Sequence, residues 1–283
     1  MAAKQIDVWD VCTFDSALVE LLKEHADLIR DYLETDHQIF LSHDLGRGPS
    51  DSILRPENPY ASGFNDLRDV ISQKMQQRTI RAFHYTRLTD GEVAAFMRDG
   101  VHLSTRATLQ RRFDEIVAAG GLLRDVADQL YAASPFHSDQ LEVRSGRFWV
   151  TSHPIAVDSS GVQPLIRHWG GEVASMWARD EALTAPLASL GKPRIIELAV
   201  PMSATRHSYS VGAAVVATFA RSRGFIPSKP AFDLSVEQPL TPAAVLAVHT
   251  EGDLSFKDMG RGYPVNFIDV DIGRWTELTG EEE

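Results

Sequence analysis

Cysteine is almost missing from this chain: Cys12 is the single one among 283 residues. One thiol allows no internal disulfide and no cysteine-based zinc site, and it points to a reducing compartment. Long apolar runs are missing as well. No stretch of about 18 apolar residues could span a bilayer, and the opening residues Met1 to Asp7 have no secretory h-region. A cytoplasmic protein without membrane association is the expectation. Positive charge is also short. Lys and Arg number 28 against 39 Asp and Glu, a formal charge of −11, which argues against broad phosphate-driven binding of nucleic acid. A local basic groove is still open to it, with Arg106, Arg111 and Arg112 as the best candidates. Neither G-x-G-x-x-G nor G-x-x-x-x-G-K-[ST] occurs, so the two common phosphate cradles are out. No H-E-x-x-H pair points to zinc, and no G-x-S-x-G elbow points to a serine hydrolase.

What remains is an ordinary globular composition, 43% hydrophobic and 24% charged, long enough for one large domain or two small ones. One stretch organises it. Thr79, Ile80 and Phe83 read as a short buried strand, and His84, Tyr85 and Thr86 at its end bear polar tips that a dry core would not need. Thr89 with Glu92 three residues on forms a capping box, and Val93, Phe96 and Met97 follow at helical spacing. Gly100 stops that helix, and Val101–Leu103 is expected to begin another strand. A polar-tipped strand running into a capped helix is a way to present side chains to a ligand.

Around it the chain reads as α+β. A helix capped by Asp15 or Ser16 is predicted to run to about Leu33, followed by an irregular stretch from Thr35 to Gly63 and a helix from Asn65 to Gln77. A helix capped by Ser104 or Thr105 is expected to run through Ala119, and another from Leu122 to Ala133. Strands are expected at Arg147–Thr151, Arg194–Val200, Ala231–Glu237, Val245–His249 (the expected neighbour of the one before it) and Val265–Val270. The small-residue helix Ser210–Arg223 could pack closely on a sheet. Irregular alternation of strands and helices favours a small mixed, mainly antiparallel sheet over a doubly wound one.

Two further stretches stand out. Trp169-Gly-Gly-Glu172 puts an aromatic face, two permissive backbone units and a carboxylate together; it is either a pocket wall or a helix stop with Trp169 in the core. On the strand Phe232 to Pro239, Asp233, Ser235 and Glu237 share one face, which is either a pair of working carboxylates or edge decoration.

The segment His84-Tyr-Thr86, its capped helix and Gly100-Val-His-Leu-Ser104 resemble the opening of ADP-ribosyltransferases of the diphtheria-toxin-like, His-Tyr-Glu branch. The run from Asp233 through Pro239 and Pro242 to Val248 resembles that superfamily's late strand pair. The order of the elements between, including Phe148-Trp-Val-Thr151 and Arg194–Pro201, also fits, so the resemblance spans residues 79–250, with bacterial and phage-related toxin and anti-CRISPR members the most similar. It implies an ADP-ribosyltransferase-like fold, with residues 1–78 as an N-terminal helical extension packed on the core and residues 79–283 as the catalytic domain. It implies transfer of ADP-ribose from NAD to a macromolecular acceptor, protein or nucleic acid, in a toxin or phage-conflict setting with an antitoxin or neutralising partner. In that reading Asp233 or Glu237 is the catalytic carboxylate, with Asp233 preferred by its spacing from Pro239. His84, Tyr85, Thr86, Trp169 and Glu172 bind NAD, and no metal is needed. The family's tyrosine on the middle strand is absent; Phe148 or Trp149 lies near its place. NAD glycohydrolysis and a non-catalytic binding module are the alternatives.

Overall fold

Asp15 starts the helical part of the chain. Its side chain accepts the Leu18 N–H at 2.9 Å, and helix α1 (Ser16–Glu24) follows with Leu18 and Leu22 buried. The computed structural model describes residues 5–46, 48, 54–206, 210–225, 227, 231–261 and 263. Helix α2 (Ala26–Ile39) runs on into a π-helical turn, Phe40–Leu45, so the irregular stretch does not begin at Thr35. No glycine or proline interrupts the chain before Gly46, and Arg55 pairs with both Asp36 (2.9 Å) and Asp44 (3.0 Å) along the extended helix. Helix α3 (Ala61–Met75) buries Phe64, Leu67, Ile71 and Met75 at helical spacing.

The small-residue helix Ser210–Ser222, expected to pack closely on a sheet, packs on α3. Its Gly212 makes this possible: a Cβ there would stand 2.2 Å from the Arg68 carbonyl oxygen. The same helix ties down the amino-terminal arm, since the buried Thr218 hydroxyl donates to Val8 O at 2.7 Å. Residues 5–79 and 210–232 therefore form one unit, and residues 80–206 with 233–263 form another. The expected split into 1–78 and 79–283 placed this helix with the sheet; close helix–helix approach through glycine takes it elsewhere.

The second unit holds a six-stranded antiparallel sheet, in line with the mainly antiparallel one expected. Its strands are β1 (Thr79–Leu88), β2 (Phe148–Thr151), β3 (Lys192–Pro201), β4 (Thr205–Arg206), β5 (Asp233–Val236) and β6 (Val245–Thr250), in the order β4-β5-β2-β1-β3-β6. Helices α4 (Asp90–Asp99), α5 (Arg106–Ala118) and α6 (Arg124–Ala133) lie between β1 and β2 in sequence. The capping box at Thr89 and Glu92 is formed, and Thr105 caps α5 with Thr108 in the same manner.

Strands β5 and β6 are not neighbours. β5 pairs with β2 and β4, whereas β6 pairs with β3, Ile196 opposite Val248. The prolines at 239 and 242 rule out a tight hairpin, and the intervening Leu240 bonds Val101 in both directions, at 2.9 and 3.0 Å. Val101 accordingly makes an isolated bridge and opens no strand. Gly100 sits at φ 83° under this crossing, where a Cβ would lie 2.1 Å from Leu240 O. One core, with Phe113, Leu130, Phe136 and Trp169, lies under α5 and α6. A second cluster joins Phe83, Tyr85, Val162, Ile195 and Phe256. The strand expected at Val265–Val270 falls outside the described residues.

Candidate functional site

The sheet opens between β1 and β2. Their register holds one Cα pair, Phe83 with Thr151. One residue on, the His84 ring takes up the next main-chain carbonyl itself, Nδ1 donating to Trp149 O at 2.8 Å. A cavity of about 630 Å³ lies at this opening, within the ~300–1,000 Å³ range of small-molecule and cofactor sites. Residues 83–86 of β1 and 147–151 on and before β2 all line it. Side chains alternate between the two faces of a strand, so consecutive residues can line one cavity only where it meets strand edges. Main-chain donors and acceptors are therefore part of its wall.

His84 is held in one state. A carbonyl can only accept, so its bond to Trp149 O puts the proton on Nδ1 and leaves Nε2 as an acceptor. Burial pushes its pKa down to about 4; the Trp149 bond opposes this shift and the Arg112 charge adds to it. The accessible part of the ring belongs to the cavity wall. Phe148 packs on it at 4.2 Å between centroids, and Phe96 lies 6.3 Å from Phe148. Thr86 is buried beside it on the cavity wall, and its hydroxyl has no hydrogen-bond partner among the described residues.

Tyr85 is less free than expected of a ligand-binding residue. Its ring belongs to the cluster around Ile195 and Phe256, its hydroxyl donates to Ile155 O at 2.9 Å and accepts the Ile155 N–H, and burial raises its pKa to about 12. It offers the cavity no free hydroxyl. Trp169 is 0% exposed, packed edge-on against Phe113 at 5.3 Å. It does not line the cavity and cannot stack on a ligand ring; Trp169 fills the core, as the alternative held, but the double glycine opens a helical turn (Gly171–Ala174) and stops none. Its indole N–H donates to Glu92 Oε2 at 2.7 Å, and Arg112 lies over its ring at 4.7 Å.

Glu92 joins these parts. It accepts the Thr89 N–H at 2.9 Å, the Trp169 indole and the Arg112 Nε at 2.8 Å. Burial alone would raise its pKa, but Arg112, the Thr89 amide and the indole outweigh that and hold it below the usual carboxylate range. Glu172 lines the cavity and pairs with Arg144 at 2.7 Å.

Five carboxylates line the cavity: Glu92, Asp99, Glu115, Glu172 and Asp233. Four have a cation: Arg112 at 2.8 Å, Arg98 at 2.6 Å, Arg111 at 3.9 Å and Arg144 at 2.7 Å, in that order. Asp233 has none among the described residues. Although it is exposed, the surrounding protein removes enough water to raise its pKa. It stands in the row of Phe83 and Thr151, one residue out of phase with His84, and both residues line the cavity. Glu237 does not line the cavity. Its carboxylate lies 3.1 Å from Arg206 and 3.6 Å from Arg147, which leaves it no free charge for the cavity.

Sequence reasoning missed Arg144, Arg147 and the second use of Glu92. Arg144 and Arg147 sit in a polar stretch with no periodic signal, and Glu92 meets Trp169 across 77 positions of chain. Among the described residues no group of three His, Cys, Asp or Glu is placed to hold a metal, and no helix is long and apolar enough to cross a membrane. No protein-family model, no curated protein and no solved structure matches this chain.

Proposed function

We propose that the chain is an NAD-dependent ADP-ribosyltransferase whose site is the cavity between β1 and β2, with a protein or nucleic acid as acceptor. The observation that carries this is the pairing pattern of the wall: Asp233 is the one lining carboxylate with no cation among the described residues, and the same cavity is lined by a histidine kept neutral.

In the reaction the bond between nicotinamide nitrogen and ribose C1′ breaks, and its electron pair leaves with nicotinamide. The sugar passes through an oxocarbenium-like state, as in glycoside cleavage. Asp233 supplies the negative charge that stabilises it, and an unpaired carboxylate does so better than one already neutralised by arginine. The acceptor heteroatom then bonds C1′, and its proton goes to Asp233 or to water. His84 Nε2 and the Thr86 hydroxyl supply the acceptor and donor for a ribose hydroxyl, and Phe148 with Phe96 supplies an apolar surface for a planar ring. Glu237, held by two arginines, takes no part.

The test is incubation of the pure protein with labelled NAD and candidate acceptors. Label on a macromolecule supports the transferase. Free ADP-ribose alone makes the protein a glycohydrolase working with the same carboxylate. No consumption of NAD leaves a binding module and ends the enzymatic reading.

A further inference from the structure

We propose that Arg112, Arg144 and the Gly170-Gly171 turn between them form a subsite for the phosphate or diphosphate group of a nucleotide. This deepens the NAD reading and rests on it for the identity of the nucleotide, though not for the anion itself. Both arginines line the cavity. Arg144 spends Nη2 on Glu172 at 2.7 Å, and its Nε is buried with no hydrogen-bond partner. Arg112 donates Nε to Glu92 at 2.8 Å. Its Nη2 touches the same carboxylate oxygen at 2.8 Å as an ion contact, but off the line of a hydrogen bond, and is buried without any other partner. Buried donors without acceptors are rare in native proteins and costly to keep. The unpartnered Nε of Arg144, with the misaligned Nη2 of Arg112 on the same cavity wall, calls for an acceptor that arrives with a ligand.

The short segment from Trp169 to Glu172 positions both. Trp169 holds Glu92 and lies under Arg112; three residues later Glu172 holds Arg144. Gly170 and Gly171, at φ 76° and 55°, line the cavity between these anchors with main chain alone. A guanidinium is a planar fork suited to two oxygens of one anion. A phosphate or diphosphate group, unlike a carboxylate, has enough oxygens to serve two such forks at once. The wall carboxylates already on these arginines set a moderate strength, since they compete for the same charge.

Calorimetry with adenosine, ADP and inorganic pyrophosphate tests this without any turnover. The wild type should bind ADP at least about tenfold more tightly than adenosine, a difference a charged double hydrogen bond can carry, and pyrophosphate should compete with ADP. Arg144→Gln should lower the ADP-to-adenosine ratio several-fold, with Arg112 left to hold the remainder, while leaving adenosine binding as it was. Glu172→Gln frees Arg144 from its competitor and should shift the ratio the other way, a gain that damage to the fold would not produce. Equal binding of ADP and adenosine by the wild type, no binding of either, or a ratio untouched by both substitutions overturns the proposal. If NAD is never cleaved but the ADP preference and its dependence on Arg144 hold, the enzymatic reading fails and the subsite stands. Cleavage of NAD with no phosphate preference overturns the subsite and leaves the enzymatic reading standing.

Discussion

Replacing Asp233 by Asn removes one charge and little else. The side chain keeps its shape, no ion pair is broken because none is made among the described residues, and the strand pairing of Asp233 with Thr151 is a main-chain matter. A full unit charge about 4 Å away, at an effective dielectric near 20, is worth about 4 kcal/mol. The transition state carries a part of that charge, and the Asn dipole recovers some of it. A loss of about 3 kcal/mol remains, a fall of roughly a hundredfold in turnover. NAD affinity should change little, because the charge develops after binding. Stability should move the other way. Burial raises the Asp233 pKa above its ordinary value, so its contribution to stability is full below the unfolded pKa and is lost as pH rises through the raised one. At neutral pH the ionised carboxylate is a burden on the fold, and the Asn variant should melt no lower than the wild type. The assay is nicotinamide release under saturating NAD, with a thermal melt alongside. A variant within threefold of wild-type turnover, or one that is inactive because it melts early, refutes the reasoning.

His84→Asn should flatten the acid limb of stability: the folded pKa is depressed from 6.5 to about 4, so stability present above the unfolded value is lost as pH falls through that window, at most about 3 kcal/mol, read as the urea midpoint at neutral and acid pH. Glu92→Gln should cost about 3 kcal/mol, because a buried carboxylate serving Arg112, the Thr89 amide and the Trp169 indole loses its charge; an unchanged melting temperature would show that the network contributes nothing. Glu237→Gln should leave nicotinamide release within about threefold and stability within about 1 kcal/mol, as expected of a partly exposed pair. An inactive Glu237 variant beside a working Asp233 variant would reverse the assignment of the carboxylate.

Local rules were legible in the sequence. Thr89 and Glu92 announced a capping box, Ser104 or Thr105 a helix start, and the stretches Arg147–Thr151, Arg194–Val200 and Val245–His249 strands that the structure forms to within one or two residues. The failures share one cause, which is that the deciding contact lies far along the chain. Prolines 239 and 242 signal a break, but not that β6 goes to β3 while β5 goes to β2. Trp169 beside two glycines has the same local pattern whether its ring faces a cavity or the core. Only its bond to Glu92 and its packing on Phe113 decide for the core. The small residues of the helix at 210–222 forecast close packing correctly but could not name the partner, and α3 took the place expected of a sheet.

Asp233 and Glu237 show the same limit at the site itself. Both occupy one face of one short stretch, and spacing alone leaves either available for chemistry. The neighbouring strands separate them. One step past the pair Phe148–Val236, β2 is preceded by Arg147, which brings its guanidinium to Glu237. From the other side Arg206 of β4, paired with Ser235, reaches the same carboxylate. At the opposite end of β5 the partner of Asp233 is Thr151, which carries no charge and donates its hydroxyl to His153 O at 2.8 Å. Antiparallel pairing therefore neutralises one carboxylate and leaves the other bare on the cavity wall. A bare carboxylate in partly desolvated surroundings weakens the free protein, and it becomes favourable when positive charge develops beside it. Glu237 already has its positive charge and gains nothing from a second.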